Sequence, residues 1–409
     1  MTRGAAAADT RPLGWGSGAL RRATFTLAVT QLISWGVLFY GFAVVAPEVT
    51  NDTGWSESIV AGAFSVGLLV AGVTAPAVAR ALSQRDPRFV LTAGSILGAA
   101  GMLLFAGAHH VAVLYGAWVV IGVAMAATLY EPAMAVLIAI DPARRHRTLA
   151  TVTVAGGLAS TVFAPLGGVL VDRLGWRTAL TVLAIGGGAS TAILHAFVLP
   201  AARTLVAPPE PASPEMLASR PVRRLRVAML FEQAALLATT AHLIGLLVDR
   251  GATLATAGAV LGVMGLGKVA GRLLLLGPVR GVPLATAAAA CSAVQLVGLA
   301  VPLGTTGFPV LLASAAIVGA ASGTTTVLRP LILVELVGAG PFAAVNGHLQ
   351  RSTTLSRAGA PFALGAGAAT IGWGPSWAIA IAAFAIAAER YVRLQAEQRT
   401  AAPLRRRST

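Results

Sequence analysis

Two pentapeptides, TLYEP at residues 128–132 and TVLRP at 326–330, set a carboxylate and a guanidinium in the same frame of a long apolar run. Each opens with a threonine and closes with a proline. Proline lacks an N–H, so in a helix the carbonyl four residues earlier loses its partner. Here those carbonyls belong to Thr128 and Thr326. Pro132 and Pro330 are therefore expected helix kinks, each with a freed carbonyl, a hydroxyl and a charge within about one turn. An ionisable side chain at mid-bilayer costs ~2.5–3.5 kcal/mol or more, so it faces a cavity or a partner. A guanidinium is a planar fork matched to a carboxylate. Arg329 is thus the candidate anchor for an anionic ligand, with Tyr130 and Thr326 as neighbouring contacts. Glu131 is a candidate for proton coupling or gating. The alternative is a Glu131–Arg329 salt bridge that closes one side of the molecule and breaks on binding.

Three further sets of polar residues sit in apolar runs. Glu232, Thr239 and His242 fall within ~80° of one another on a helix turning 100° per residue. Burial favours the neutral form of a carboxylate. Glu232 and His242 are therefore candidates for coupling or gating, unless Glu232 pairs with Arg226 and His242 is a packing histidine. Gln31 and Ser34 lie three apart, with Trp35 and Tyr40 nearby. Aromatic rings with a few polar groups suit a small-ligand pocket, so Gln31, Trp35 and Tyr40 are substrate-binding candidates. Arg357 is a second candidate cation, for gating or helix packing.

The elements that position these residues follow from composition. The chain has 409 residues, 56% hydrophobic and 11% charged; soluble domains carry roughly 25% charged residues. Twelve apolar stretches are each long enough, at ~20 residues, to cross a hydrocarbon core. They lack the alternation of a membrane barrel. The fold class is all-α integral membrane. Most of the 30 basic residues fall on one side of the spans, with Arg173, Arg177 and Arg250 opposite. Both termini are then expected in the cytoplasm. The net charge of +15 reads as a topology signal, including the RRR run at 405–407, and nucleic acid is excluded as a partner.

Several motifs are spelling only. GVMGLGKV (262–269) is one residue short of a P-loop and lies inside a membrane helix. His109 and His110 have no third ligand nearby, so no metal site is expected. Cys291, the single cysteine, cannot form an intramolecular disulfide. No cofactor is implied, and no nucleophile–base pair marks an enzyme.

Residues 200–224, rich in Pro and charge, have a linker composition. They divide the chain into an N-tail (1–22), six spans (23–199), six spans (225–389) and a basic C-tail (390–409). The two halves repeat. TLYEP matches TVLRP, Ala164-Pro165 matches Ala360-Pro361, and Arg80 matches Arg272, all at nearly one offset. Parallel repeats imply a ligand near the midplane between them.

This organisation, with GVLVDRLGWR (168–177) after span five, resembles the major facilitator superfamily. The stretch 35–72 is similar to bacterial members near the monocarboxylate and oxalate/formate carriers. That resemblance implies twelve helices in two pseudo-symmetric six-helix bundles, with spans one, four, seven and ten lining a central cavity. Glu131 and Arg329 would then face it from opposite halves. There are departures. The loop after span two reads ARALSQRDPR (79–88), without the usual Gly and Asp positions of the charge lock. Span eight carries Lys268 where an Asp normally precedes the Arg, here Arg272. The expectation is a monomeric secondary active transporter in a bacterial plasma membrane. It would move a small organic anion by alternating access, coupled to a proton or a counter-substrate. Two alternatives are efflux of amphipathic compounds, to which APLGG (164–168) bears a partial antiporter resemblance, and a non-transporting sensor on the same fold.

Overall fold

A computed structural model describes residues 17–140, 145–201, 213–274, 282–338 and 341–405. Most of the N-tail, the core of the linker and the RRR run from 406 lie outside these. The described residues form twelve helical rods. They are α1 Gly18–Thr53, α2 Glu57–Leu82, α3 Pro87–Ala106, α4 Val111–Leu137, α5 Thr151–Leu174, α6 Trp176–Val198, α7 Arg220–Asp249, α8 Leu254–Arg272, α9 Leu284–Gly304 and α10 Phe308–Val337. Then follow α11 Phe342–Ile371 and α12 Trp373–Arg405. The first ten are long and apolar enough to cross a membrane. The last two have the length, but α11 carries interior polar residues and α12 a charged final third. Twelve rods, an even number, bring residues 17 and 405, the ends of the described chain, to one end of the bundle.

Local chemistry sets the boundaries. The Ser56 hydroxyl caps α2 by accepting from the Ile59 N–H. Asp86, which stands where the family pattern has Gly, caps α3 through the Arg88 N–H at 3.0 Å, with Pro87 opening the helix. Two turns repeat between halves. Gly175-Trp176 opens α6 and Gly372-Trp373 opens α12, with φ of 75° and 84° that only glycine adopts freely. They lie at nearly the offset that separates TLYEP from TVLRP, so the duplication is visible in the turns as well. In the first copy the Trp176 indole N–H donates to Asp52 at 3.0 Å. Arg177 donates to the carbonyls of Ala106 and Ala108, closing the last turn of α3.

The halves meet along α5 with α8, α2 with α11, and α1 with α7. Glycines permit the closest approaches. A Cβ on Gly265 would sit 2.1 Å from Ser160 Oγ on α5, and one on Gly271 would sit 1.9 Å from the Ala320 carbonyl on α10. The stretch that resembles a P-loop in spelling is therefore a packing face: its glycines let α8 press on α5 one way and α10 the other. At the end remote from the termini the halves are closed, with Gly365 against Ala61 and Glu57. Toward the other end Glu131 of the first half and Phe231 and Thr326 of the second are exposed; the seam between the halves at this end is called the groove.

Candidate functional site

The two prolines behave differently. Before Pro132, α4 breaks: Leu129 takes an extended ψ of −159° between Val111–Thr128 and Tyr130–Ile140. The freed Thr128 carbonyl accepts from Gln31 Nε2 of α1 at 2.5 Å. Gln31 is fully buried, so its amide holds backbone rather than lining the groove. α10 runs through Pro330 as one helix from Phe308 to Val337. There Thr326 donates back to the Ser322 carbonyl. Only the first of the two expected kinks is a break in the helix.

The pairing expected between Glu131 and Arg329 is replaced by another. Arg329 Nε contacts Glu232 Oε2 at 3.2 Å, inside the second half. The same oxygen accepts from the Tyr391 hydroxyl at 2.8 Å, and Oε1 accepts from Gln295 at 3.3 Å. Glu232 is fully buried, bonded by α9, α10 and α12, and it does not pair with Arg226. The reason is geometric: α7 turns this face into its own bundle, where a bare carboxylate would be intolerable without such partners. The stripe expected on α7 therefore splits. Thr239 is buried, donating to the Ala235 carbonyl. His242 lies about 15 Å further along the helix, with Nε2 on the Pro361 carbonyl at 2.9 Å. Glu131 has as its opposite charge Arg357 across the groove, which also feels Arg329 in its own half.

The substrate-binding candidates on α1 and α4 converge. Trp35 and Tyr130 pack with ring centroids 5.0 Å apart, and Phe39 lies 5.1 Å from Tyr40. A π-helical turn over Gly36–Tyr40 shifts the register of α1 where these rings emerge. Facing them are two cations that the pentapeptides do not reveal. Lys268 donates to the Tyr40 hydroxyl at 3.3 Å. Arg272 donates to the Thr153 carbonyl, which also accepts from the Tyr130 hydroxyl. Among the described residues neither Lys268 nor Arg272 forms an ion pair. Trp35 Nε1 and Arg272 Nε are buried donors without an acceptor. Lys268 carried a signal in the sequence: it is the only lysine among 30 basic residues, and it lies inside a span, one turn from its end. The wall is rich in unanswered donors and cations, which suits an acceptor-rich, anionic ligand.

Aromatic and charged side chains gathered between two six-helix bundles are the arrangement a membrane carrier presents to its ligand. The Major Facilitator Superfamily profile matches residues 24–347, and the chain belongs to that superfamily. It is 28% identical over 348 residues to monocarboxylate transporter 13 of Rattus norvegicus, covering 82% of this chain and 78% of that one. The Bos taurus counterpart is likewise 28% identical, over 349 residues, covering 82% and 79%. Among solved structures, a point mutant of the nucleoside transporter NupG superposes with a TM-score of 0.75 at 12% identity, covering 92% and 99%. A bacterial homolog of the human lysosomal transporter Spinster, inward-facing and unoccupied, gives 0.71 at 14% identity, covering 93% and 98%. These structural likenesses speak for the fold alone.

Proposed function

We infer that the protein is a secondary carrier of a small organic anion, with Lys268 and Arg272 as the primary anion contacts. The observation that carries this reading is a lone lysine inside a membrane span, on a tyrosine hydroxyl and one turn from an arginine at the span's end, neither answered by a carboxylate among the described residues. An unneutralised charge at that depth is costly, and a carboxylate supplied by the ligand removes the cost. Trp35, Tyr40 and Tyr130 form the apolar wall, and Thr326 lies on the groove. Similarity to monocarboxylate transporters favours a monocarboxylate. Glu131 and Arg357 are suited to gating, since their attraction spans the halves. Glu232 is the carboxylate for proton coupling, with Arg329 as its counter-ion; His242, remote from both, serves the opposite end. The bodies 23–199 and 225–389 rock about the ligand as a monomer, with the termini cytoplasmic in a bacterial plasma membrane, driven by a proton or a counter-substrate.

Uptake of labelled lactate, pyruvate and oxalate into proteoliposomes tests this. A charge-assisted contact contributes ~1.5–3 kcal/mol, so Lys268→Ala is expected to raise KM roughly 10- to 100-fold for the transported acid. If no carboxylate is moved, or Lys268→Ala leaves KM unchanged, the reading fails.

A further inference from the structure

Toward the closed end the halves are joined by bonds that follow the internal repeat. At the rim the Trp373 indole N–H reaches the Glu57 carboxylate. Two bonds lie deeper. The Phe362 N–H of α11 donates to Ser65 Oγ of α2 at 3.1 Å. The Thr161 hydroxyl of α5 donates to the Gly262 carbonyl of α8 at 2.9 Å. Ser65 and Gly262 stand at the same depth, each ~12 Å along its helix from the first residue, Glu57 or Leu254. Their partners flank the two matched prolines: Phe362 follows Pro361, and Thr161 stands one turn before Pro165. In both bonds the first half supplies a hydroxyl and the second half a backbone group.

The hydroxyls cross the seam where local alternatives exist. Thr128, Thr181 and Thr325 each turn the side chain back to the carbonyl four residues earlier. Thr161 reaches to the other half instead. Small residues allow the approach. A Cβ on Gly262 would sit 3.0 Å from Pro165 Cγ, and one on Gly365 would sit 2.9 Å from Ala61 Cβ. No ion pair among the described residues joins the halves. A buried ion pair is costly to break because it leaves charges alone. A neutral hydrogen bond contributes far less, so a fastening of this kind can hold an end shut and still release.

We propose that Ser65 and Thr161 are paired latches, related by the repeat, which hold this end closed and let go together when it opens. The inference rests on the alternating access proposed above, but its test needs no substrate.

The test is the rate at which a water-soluble maleimide modifies the Ala61→Cys variant of the full-length protein in detergent, in a Cys291→Ala background. Ala61 is fully buried in the α2–α11 seam. When closing outpaces modification, the rate follows the open population. Ser65→Ala and Thr161→Val are each expected to raise it roughly fivefold, and the two together roughly 25-fold. Thr161→Ser keeps the hydroxyl and should stay near the starting rate. Ala117→Cys, buried within the first half, is the control for general loosening and should react no faster in the latch variants. Unchanged rates at Ala61→Cys, a rise from only one latch variant, a rise with Thr161→Ser as large as with Thr161→Val, or an equal rise at Ala117→Cys would overturn the proposal. A failure of carboxylate uptake would sink the anion reading and leave these rates as they are.

Discussion

Glu232 and Arg329 show how one residue's role is set by what surrounds it. A buried pair gains little net stability over apolar residues of the same shape, yet leaving one member alone costs ~3–5 kcal/mol. Glu232 is bonded by Arg329, Tyr391 and Gln295, so Glu232→Ala and Arg329→Ala are each expected to destabilise the protein by about that amount. The double variant Glu232→Leu/Arg329→Met should recover much of the loss. Denaturant unfolding in detergent of the wild type, this double variant and its two singles, Glu232→Leu and Arg329→Met, gives the coupling energy. Singles that add up in the double would mean that the pair does not interact. The sequence revealed that Arg329 needed a partner, because of the cost of its charge. It could not say which acid, since Glu131 and Glu232 are both glutamates in apolar runs and only the rotation of α7 about its axis decides between them. Lys268 is the opposite case. Its uniqueness was legible in composition, but the family pattern marks that position by the aspartate it lacks and so hides the amine in its place.

At the scale of the helix, the break in α4 and its continuity in α10 separate two copies of one pentapeptide. The Gln31 amide gives the Thr128 carbonyl the donor that Pro132 withholds. Pro132→Ala restores the helical N–H, so Gln31 should then become redundant. Gln31→Leu is expected to cost ~1–3 kcal/mol of stability, the penalty of a buried unsatisfied group. In the Pro132→Ala background it should cost much less. A Gln31→Leu effect of equal size in both backgrounds would detach the glutamine from the break. The twelve helices, their order and the repeat were readable because hydrophobic length and turn chemistry are local. The glycines of 262–271 were readable as a motif but not as a packing face, because the surfaces they fit, on α5 and α10, lie far away in the chain.

For the whole molecule, the proposed alternating access predicts that the seam packed at one end and the residues exposed at the other exchange their accessibility. In a Cys291→Ala background, a cysteine at exposed Thr326 is expected to react readily with a water-soluble thiol reagent. One at Ala61, fully buried in the α2–α11 seam, should not. A transported substrate or an imposed gradient that flips the halves should exchange these reactivities. If both cysteines respond alike under every condition, the halves do not move as rigid bodies about the seam.

The chain uses arginine for every other basic position and lysine once. Side-chain amines are therefore present at a single address, against the Tyr40 hydroxyl on the wall of the groove. An acylating or reductive-alkylating reagent acts on amines and spares guanidinium groups, so apart from the chain terminus it has one target. The protein comes with a built-in single-site label. Mass spectrometry after such treatment reads occupancy of that address directly, and protection by a candidate anion ranks ligands without mutating a residue or knowing in advance what is carried.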